Sequence, residues 1–218
     1  MADVVIFGAG DIAELAHFYF TSDSPHRIVA FTVDRSFRKS DRFLGLPVVD
    51  FEDVSSHYPP ASYQMFIAIG YTGMNAVRAA RYETTRTLGY RLASYVSSRC
   101  TVLAEVVGDN CLILEDNTIQ PFARIGNDVT LWSGNHIGHH SVIGDHCFVT
   151  SHVVVSGRAE VGPFCFLGVN ATLRNGVRLA PRTLVGAGAT ILEDTEPNGI
   201  YAGTRARKSP QSSADIVL

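Results

Sequence analysis

Histidines are concentrated in one short segment of the sequence, GNHIGHHSVIGDH at residues 134–146. The segment contains His136, His139, His140 and His146, half of the eight histidines in the chain. Because imidazole has an unperturbed pKa of about 6.5, a histidine here is suited to act as a general base at neutral pH. Histidines also bind catalytic zinc, which needs three protein ligands and one open position. A solvent-facing, structural role is the third interpretation.

A six-residue repeat runs through this segment and beyond it. Every sixth residue from Val107 to Ile191 is isoleucine, leucine or valine, and glycine directly follows many of them. A period of six would carry the apolar position around the axis of a helix, so the pattern excludes a helix. It predicts a β-solenoid in which each hexapeptide forms one short strand and one turn, with the aliphatic residue inside. The glycines are expected to supply the unusual dihedral angles of the turns.

Three hexapeptides would complete one triangular coil, so residues three times six positions apart should stack on one another. The residue four positions after each aliphatic residue is usually small, and three of these residues are Cys111, Cys147 and Cys165. We expect these to stack as small buried thiols in one corner. Together with Cys100 they form no CxxC pair, which favours reduced thiols in a cytoplasmic protein.

Strands and helices alternate in the front of the chain. The runs VVIFGAG, HRIVAFTVD and YQMFIAIG are predicted strands, and DIAELAHFYF and AVRAARYETTRTLG are predicted helices. This order predicts a small Rossmann-like α/β domain with a parallel sheet. The predicted organisation is therefore an α/β domain at residues 1–98, a solenoid domain at 99–196 and a C-terminal tail at 197–218.

A glycine-rich turn follows the first predicted strand. Gly8, Gly10 and Ala13 fit the pattern G-x-G-x-x-[GA], and Asp34 ends the second predicted strand. Such a turn brings backbone N–H groups close to a phosphate, and the carboxylate is suited to bind a ribose hydroxyl. Since the domain is short for a full dinucleotide fold, the sequence favours a nucleotide sugar over NAD, with a purely structural glycine turn as the other alternative.

The composition limits the partners. The 218-residue chain has a net charge of −3 and a pI near 6.2, which provides no basic field for a nucleic-acid backbone. No apolar run approaches the ~20 residues that cross a bilayer, and the N-terminus lacks the basic region of a signal peptide. We therefore expect no nucleic-acid partner, no membrane partner and a cytoplasmic location.

The segments FGAG, TVD and AIG, followed by a hexapeptide solenoid, resemble one group of proteins over residues 3–208. This is the bacterial family of sialic acid O-acetyltransferases and nucleotide-amino-sugar N-acetyltransferases. The resemblance implies a left-handed parallel β-helix, a homotrimer and acetyl-coenzyme A as cosubstrate. It also implies transfer of acetyl to the amino group of a nucleotide-linked amino sugar, a precursor of a surface glycan such as O-antigen. O-acetylation of a sugar such as sialic acid is the close alternative.

The resemblance also implies roles for particular residues. The segment IGHHSVIGD matches the part of the family that carries the catalytic histidine, which implies that His139 is the general base. The next residue in the family is often acidic and tunes the histidine; here it is His140, which either modulates His139 in the catalytic site or faces the groove between subunits. The coenzyme A contacts implied are Gly157, Val169, Ala187 and Arg205. Arg205 has the position of a proline in the family's tail, and a solvated tail is its other interpretation.

The spacing adds an expectation for His139. Gly157 should lie one coil above it and, having no side chain, should leave room for a thioester to approach. His136 directly precedes the inward Ile137, so it should point outward towards the sugar, whereas His146 and His152 are expected in solvent or at an interface. The substrate contacts predicted are Gly8, Ala9, Gly10, Asp34, Gly70, Tyr71 and His136.

Two other classes of function stay open in the sequence. Solenoid trimers that resemble γ-class carbonic anhydrases bind zinc through histidines of two subunits. The front domain and the expected use of coenzyme A argue against this, and we assign no metal ligand. A sugar-nucleotide-binding scaffold without enzymatic activity is the other class, and its function would not depend on His139.

Overall fold

A computed structural model of the chain describes residues 1–210. The front of the chain forms a six-stranded sheet in the order β3-β4-β2-β1-β5-β6. Its strands are β1 (Asp3–Phe7), β2 (Arg27–Val33), β3 (Arg42–Phe43), β4 (Leu46–Asp50), β5 (Gln64–Ile67) and β6 (Arg91–Leu92). Its helices are α1 (Asp11–Ser22), α2 (Val54–His57) and α3 (Ala76–Thr87), with 3₁₀ turns at Arg35–Phe37 and Phe51–Asp53. All strand pairs are parallel except β3 with β4.

Helices and loops cover both faces of this sheet, which explains the unbroken apolar runs of its strands. Val4, Val5 and Ile6 of β1 are 0 % exposed. On one face, α1 packs its apolar side through residues that include Ala16 and Phe20. The other face is covered by residues 51–58, α3 and the chain just before β6. The predicted α/β domain is thereby confirmed.

The rest of the fold is a left-handed β-helix, as predicted, with three parallel sheets of two-residue strands. We number its strands β7–β24 along the chain and its sheets 1–3. Sheet 1 contains β7 (Tyr95–Val96), β10 (Leu112–Ile113), β13 (Thr130–Leu131), β16 (Phe148–Val149), β19 (Phe166–Leu167), β22 (Leu184–Val185) and β24 (Ile200–Tyr201). Sheet 2 contains β8 (Thr101–Val102), β11 (Thr118–Ile119), β14 (His136–Ile137), β17 (Val154–Val155), β20 (Thr172–Leu173) and β23 (Thr190–Ile191). Sheet 3 contains β9 (Val106–Val107), β12 (Arg124–Ile125), β15 (Val142–Ile143), β18 (Glu160–Val161) and β21 (Arg178–Leu179).

The second residue of each strand forms the interior of the β-helix. From Ile113 to Ile191, the residues of the six-residue series are at most 5 % exposed, while Val107, at the start of the series, is only partly buried. Each strand pairs with the strand one coil above in the same register, so that Leu112 lies beside Thr130 and Ile113 beside Leu131. The solenoid strands extend from Tyr95–Val96 to Ile200–Tyr201, and thus begin before and end after the range 99–196.

Turns connect the sheets at three corners. The first corner follows sheet 1 (residues 114–117, 132–135, 150–153, 168–171 and 186–189), the second follows sheet 2 (120–123, 138–141, 156–159 and 174–177), and the third follows sheet 3 (108–111, 126–129, 144–147, 162–165 and 180–183). The predicted cysteine column lies at the third corner, where Cys111, Cys147 and Cys165 are all 0 % exposed. All four cysteines are free thiols.

The glycines that follow the inward residues have a different role from the one predicted. The left-handed backbone occurs two residues further on, and residues with side chains occupy most of those positions, for example Phe122 and His140 with φ of 64° and 59°. The glycines are instead needed because the next coil is close. A Cβ on Gly138 would lie 2.5 Å from the backbone N of Gly157, and one on Gly168 would lie 2.6 Å from the N of Ala187.

The front domain is fixed against sheet 1 and the third corner. Its apolar contact covers Tyr95, Leu112 and Phe148, which point outward from sheet 1 but are at most 3 % exposed. At the end of α1, the Asp23 carboxylate accepts hydrogen bonds from the Tyr95 hydroxyl (2.8 Å) and the Ser98 backbone N–H (2.9 Å).

Arg78 of α3 forms the polar part of this contact. Its side chain is 2 % exposed, and its Nε donates to Oδ1 of Asp128 at 3.0 Å. Its Nη2 donates to the main-chain oxygens of Asp128 and His146, both at 3.1 Å. The other carboxylate oxygen of Asp128 lies 2.8 Å from Nδ1 of His146. The buried ion pair of Arg78 and Asp128, with these hydrogen bonds, holds α3 against the third corner.

The position of His146 corrects the sequence-based prediction. The residue is buried, with 9 % exposure, and its ring packs against Tyr82 (5.4 Å between centroids) and Phe164 (4.8 Å). The prediction of a solvent or interface position was wrong because α3 folds back over the third corner. His152, at the first corner, is exposed. Among residues 1–210, no helix combines the length and hydropathy needed to cross a membrane.

Candidate functional site

His139 lies at the second corner, in the turn between β14 and β15, and its side chain is exposed. Its backbone N donates to Oε1 of Gln120 in the coil below at 2.9 Å. Its backbone O accepts from the N of Arg158 in the coil above at 2.9 Å. Since the backbone is held from both sides, the position of the imidazole depends mainly on its side-chain torsions.

Gly157 lies directly above the ring of His139, as predicted from the coil spacing. A Cβ at position 157 would lie 2.6 Å from Nε2 and 2.8 Å from Cε1 of His139. The same Cβ would lie 3.1 Å from Oδ1 of Asn175, which is one further coil above. Nε2 of His139 therefore lies in the space that a side chain at position 157 would fill, with the Gly157 backbone on one side and the side-chain amide of Asn175 at its edge. We call this space the gap at Gly157.

His140 contacts the other nitrogen of the His139 ring. The two Nδ1 atoms are 3.1 Å apart, and the ring planes are inclined at 88°. His140 has left-handed backbone, and its N–H donates to the O of Pro121 at 3.2 Å. Its ring packs on Phe122 with 4.7 Å between centroids. His140 is thus fixed to the coil below while its Nδ1 faces His139.

His136 is the outward residue of β14, on sheet 2, and is partly buried. It pairs with Thr118 below and Val154 above. It lies on the face that leads to the second corner, three residues before His139 in the sequence.

The residues predicted to contact coenzyme A are divided between two corners. Gly157 is at the second corner with His139, whereas Val169 and Ala187 stack at the first corner, both exposed. Arg205 follows the last strand of sheet 1 and is exposed. Within one chain, the structure brings only Gly157 next to His139.

The glycine turn of the front domain has the predicted geometry. Gly8 has φ of 125°, and a Cβ there would lie 2.8 Å from the O of Ala68, so only glycine fits between β1 and the chain after β5. Gly10 is the N-cap of α1, and Ala9 lies between them. Gly70 comes close to α1, since its Cβ would be 3.9 Å from Ile12. The free N–H groups of a helix N-terminus attract anions.

These turns meet at the carboxyl ends of β1, β2 and β5. The chain passes from β1 to β2 on one side and later to β5 on the other, so β1 and β5 flank the switch point where parallel sheets bind ligands. A cavity of about 160 Å³ opens there, lined by Phe7, Val33, Asp34, Phe37, Ile69, Val77 and Arg81. A larger cavity of about 420 Å³ lies on the side of β2, β3 and β4, lined by Ala9, Val33, Phe37, Lys39, Ser40, Arg42, Phe43 and Val48.

Asp34 is partly buried and forms an ion pair with Arg81, whose Nη2 lies 2.8 Å from Oδ2. The guanidinium of Arg81 also lies 4.7 Å from the ring centre of Phe7 and 4.6 Å from that of Phe51. This leaves the second oxygen of Asp34 for another donor. Phe37, which is 71 % exposed, presents an apolar face between the two cavities.

Tyr71 lies between the front domain and the β-helix rather than over the glycine turn. Its ring packs against Phe166 (4.8 Å) and Phe148 (5.1 Å) of sheet 1 and is 55 % exposed. Gly70, next to it, accepts a hydrogen bond from Nη1 of Arg78 at 3.2 Å. Tyr71 therefore borders a surface that connects the front domain to the wall of the β-helix.

Several residues around these sites were not predicted. Arg81, Phe37, Lys39 and Arg42 line the cavities but belong to no sequence motif. Asn175 is recognisable in retrospect, because it lies two coils above His139 in the same column.

Burial raises the pKa of two thiols at the third corner, that of Cys111 to about 12 and that of Cys147 well above its ordinary value. The hydrogen bond with Cys147 lowers the pKa of the third thiol, Cys165. A protonated, buried thiol is a poor nucleophile and a poor metal ligand. Within the described residues, no group of three or more histidine, cysteine, aspartate or glutamate side chains is arranged to hold a metal ion.

Comparison with known proteins agrees with this architecture. A family model described as bacterial transferase hexapeptide (six repeats) matches residues 122–157. A search of curated proteins gave no match.

Solved structures match nearly the whole chain. PerB from Caulobacter crescentus, in complex with CoA and GDP-perosamine, has a TM-score of 0.82 at 23 % identity, with 93 % of this chain and 95 % of that chain covered. The acetyltransferase domain of PglB from Neisseria gonorrhoeae has a TM-score of 0.79 at 19 % identity, with coverage of 93 % and 97 %. WeeI from Acinetobacter baumannii has a TM-score of 0.79 at 19 % identity, with coverage of 95 % and 99 %. The chain thus has the two-part fold of these proteins, as the sequence resemblance implied.

Proposed function

We propose that this protein is an acetyl-coenzyme A-dependent acetyltransferase that acetylates the amino group of a nucleotide-linked amino sugar. The observation that carries the proposal is the exposed side chain of His139, whose Nε2 lies in the gap at Gly157. A base at such a gap is suited to an acceptor on one side and a thioester on the other. The fold matches add support, because PerB was solved with CoA and GDP-perosamine and the PglB domain with acetyl coenzyme A.

His139 acts as the general base. Its Nε2 takes a proton from the sugar amine as the amine nitrogen attacks the thioester carbonyl. The tetrahedral intermediate then collapses, the C–S bond breaks, and the sulfur leaves with the proton that His139 received. The products are the N-acetyl sugar and free coenzyme A, and the imidazole returns to its neutral form. Nδ1 is held by His140 at 3.1 Å, so the ring presents Nε2 to the gap.

Coenzyme A is bound between subunits of a homotrimer. Gly157 accompanies His139 at the second corner, while Val169 and Ala187 are at the first corner. Contact with all of them requires the second corner of one chain to face the first corner of a neighbour. Arg205, which is exposed beyond the last strand of sheet 1, is the proposed contact for a phosphate of the cofactor.

The nucleotide is bound by the front domain, at the switch point of the sheet. Gly8, Ala9 and Gly10 present backbone at the start of α1, which suits a diphosphate. Asp34 supplies a carboxylate for the ribose. Gly70 and Tyr71 extend this surface towards the β-helix, and His136 meets the sugar close to His139. Because the nucleotide is held remotely, its binding energy orients the amine for attack.

The test is a panel of nucleotide-linked amino sugars mixed with acetyl-coenzyme A, with free thiol release measured with and without each acceptor. We expect acceptor-dependent release that falls about 10²- to 10⁴-fold in His139→Ala. The matched control is His57→Ala, an exposed histidine on α2, which should leave the rate unchanged. Near-normal turnover by His139→Ala would reject the proposed base.

The same experiment separates the alternatives. An amide product survives hydroxylamine and an ester is cleaved by it, so the treatment distinguishes N-acetylation from O-acetylation. A non-enzymatic scaffold would bind the nucleotide sugar without releasing thiol from any donor.

A further inference from the structure

The contact between His139 and His140 limits which of their ring nitrogens can carry hydrogen. Their Nδ1 atoms are 3.1 Å apart, which is a hydrogen-bond distance. In a neutral imidazole one nitrogen carries hydrogen and the other accepts. One proton therefore lies between the two Nδ1 atoms, and a neutral pair carries its second proton on only one of the two outer Nε2 atoms.

Only one of these two arrangements leaves a base at the gap. If His139 donates through Nδ1–H to His140, then Nε2 of His139 is bare and Nε2 of His140 carries the hydrogen. In the reverse arrangement, Nε2 of His139 is protonated and cannot accept a proton from substrate. The tautomer of the His139 ring therefore depends on the tautomer of the His140 ring.

We propose that His140 is the positioning residue of His139: it accepts the Nδ1–H, keeps Nε2 bare and shares the positive charge that His139 gains during the reaction. The proposal rests on the proposed role of His139 as base. When Nε2 takes the proton from the amine, the bridging proton moves towards Nδ1 of His140, so the charge is distributed over two rings. No group is oxidised or reduced, and the proton on Nε2 leaves with the thiol.

The surroundings of His140 suit this role. The coil below holds it through the O of Pro121 and the ring of Phe122, neither of which is titratable. The coil above contributes Arg158, whose backbone N–H binds the O of His139 and whose side chain is exposed. Arg174 and Asn175 follow one coil higher, and both are exposed. Among residues 1–210, no carboxylate is hydrogen-bonded to either ring.

Three substitutions at position 140 separate this role from simple packing. His140→Phe keeps an aromatic ring against Phe122 but has no acceptor. His140→Asn places an amide oxygen near the position of Nδ1, and asparagine tolerates the left-handed backbone that His140 adopts with φ of 59°. His140→Asp places a carboxylate there, which favours the charged form of His139.

We expect kcat/KM to fall about 10²-fold in His140→Phe and to recover largely in His140→Asn. His140→Asp also supplies an acceptor for the Nδ1–H of His139, so its kcat/KM should exceed that of His140→Phe. Equal activity of the wild type and His140→Phe would overturn the proposal.

A second measurement does not need turnover. Nitrogen NMR of histidine-labelled protein, with signals assigned from His139→Ala and His140→Phe, reports which ring nitrogen carries hydrogen. We expect His139 to be the Nδ1–H tautomer in the wild type and to lose that preference in His140→Phe. A wild-type His139 with hydrogen on Nε2 would overturn the proposal. If every acceptor fails to give turnover while the tautomer is as expected, the acetyltransferase function is rejected and the pairing stands.

Discussion

The Nε2 atom of His139 lies where a side chain at position 157 would be, because a Cβ on Gly157 would approach it to 2.6 Å. Protein atoms that are not bonded do not come so close, so the glycine and the histidine depend on each other. The gap is a property of two adjacent coils, and it is present before any substrate arrives.

Gly157→Ala should therefore remove activity without removing the fold. The added methyl group displaces the His139 ring, and we expect kcat/KM to fall about 10²-fold. Thiol release measures the loss. Thermal unfolding provides the control: the alanine should lower the Tm less in the His139→Ala background, where the clash is absent. Equal Tm losses in both backgrounds would show that the contact is not the cause.

Asp34→Ala should raise the KM for the sugar nucleotide about tenfold, as expected for a lost hydrogen bond to a charged group, and should change the KM for acetyl-coenzyme A little. Because Asp34 also pairs with Arg81 at 2.8 Å, Arg81→Met is the necessary comparison: it breaks the pair and leaves the carboxylate in place. Asp53→Ala, at an exposed ion pair with Arg35, is the control. If all three variants have the same KM values, Asp34 does not contact the nucleotide.

Arg78→Ala should destabilise the protein by about 3–5 kcal/mol, because it leaves the carboxylate of Asp128 buried without its partner. Urea unfolding gives the change in free energy. Arg27→Ala removes an arginine from an ion pair whose arginine side chain is 72 % exposed, and should cost at most about 1 kcal/mol. The double variant Arg78→Met, Asp128→Leu should lose less free energy of unfolding than the two single variants lose in sum. If the two losses simply add, the side chains do not interact directly.

Asp23 should make the contact between the domains sensitive to acid. Hydrogen bonds from Ser98, Tyr95 and Ser97 lower its pKa from 3.8 to about 2. A carboxylate with a depressed folded-state pKa stabilises the fold above its unfolded pKa, and this contribution is lost as the pH falls from about 4 to about 2. The stability difference between the wild type and Asp23→Asn should shrink over that range, as measured by denaturant unfolding.

Ser22→Ala is the control for this experiment, since it changes a neighbouring residue of α1 that does not titrate. Its stability difference from the wild type should stay constant with pH. A constant difference for Asp23→Asn as well would contradict the assigned hydrogen bonds.

The interior of the β-helix could be predicted because its signal is local and repeated. Ile113, Ile137 and Ile143 are inward in the structure as their six-residue spacing required. The same spacing placed Gly157 over His139. The role of the glycines could not be predicted in this way. The sequence shows that glycine recurs, but it does not show whether a dihedral angle or a close backbone contact requires it.

No local or repeated sequence pattern indicates the contacts between the front domain and the β-helix. Nothing near Asp128 or His146 in the sequence indicates that Arg78 will fold against them, so His146 was expected in solvent or at an interface. The packing of Tyr71 on Phe148 and Phe166 has no signal in the sequence either, and its assignment to the substrate stays a prediction. The predicted assignments of Val169, Ala187 and Arg205 to the cofactor stay predictions, because they depend on how chains assemble.

The parallel register of the coils also bears on how such a gene can change in length. Leu112 lies beside Thr130, so a regular step up the wall consumes 18 residues. An insertion or deletion of six residues keeps the aliphatic residues inside, but only a whole step of 18 residues also keeps every later strand in its own sheet. Evolution can therefore vary the height of the tube above Asn175 in whole steps and leave the chemistry below it untouched.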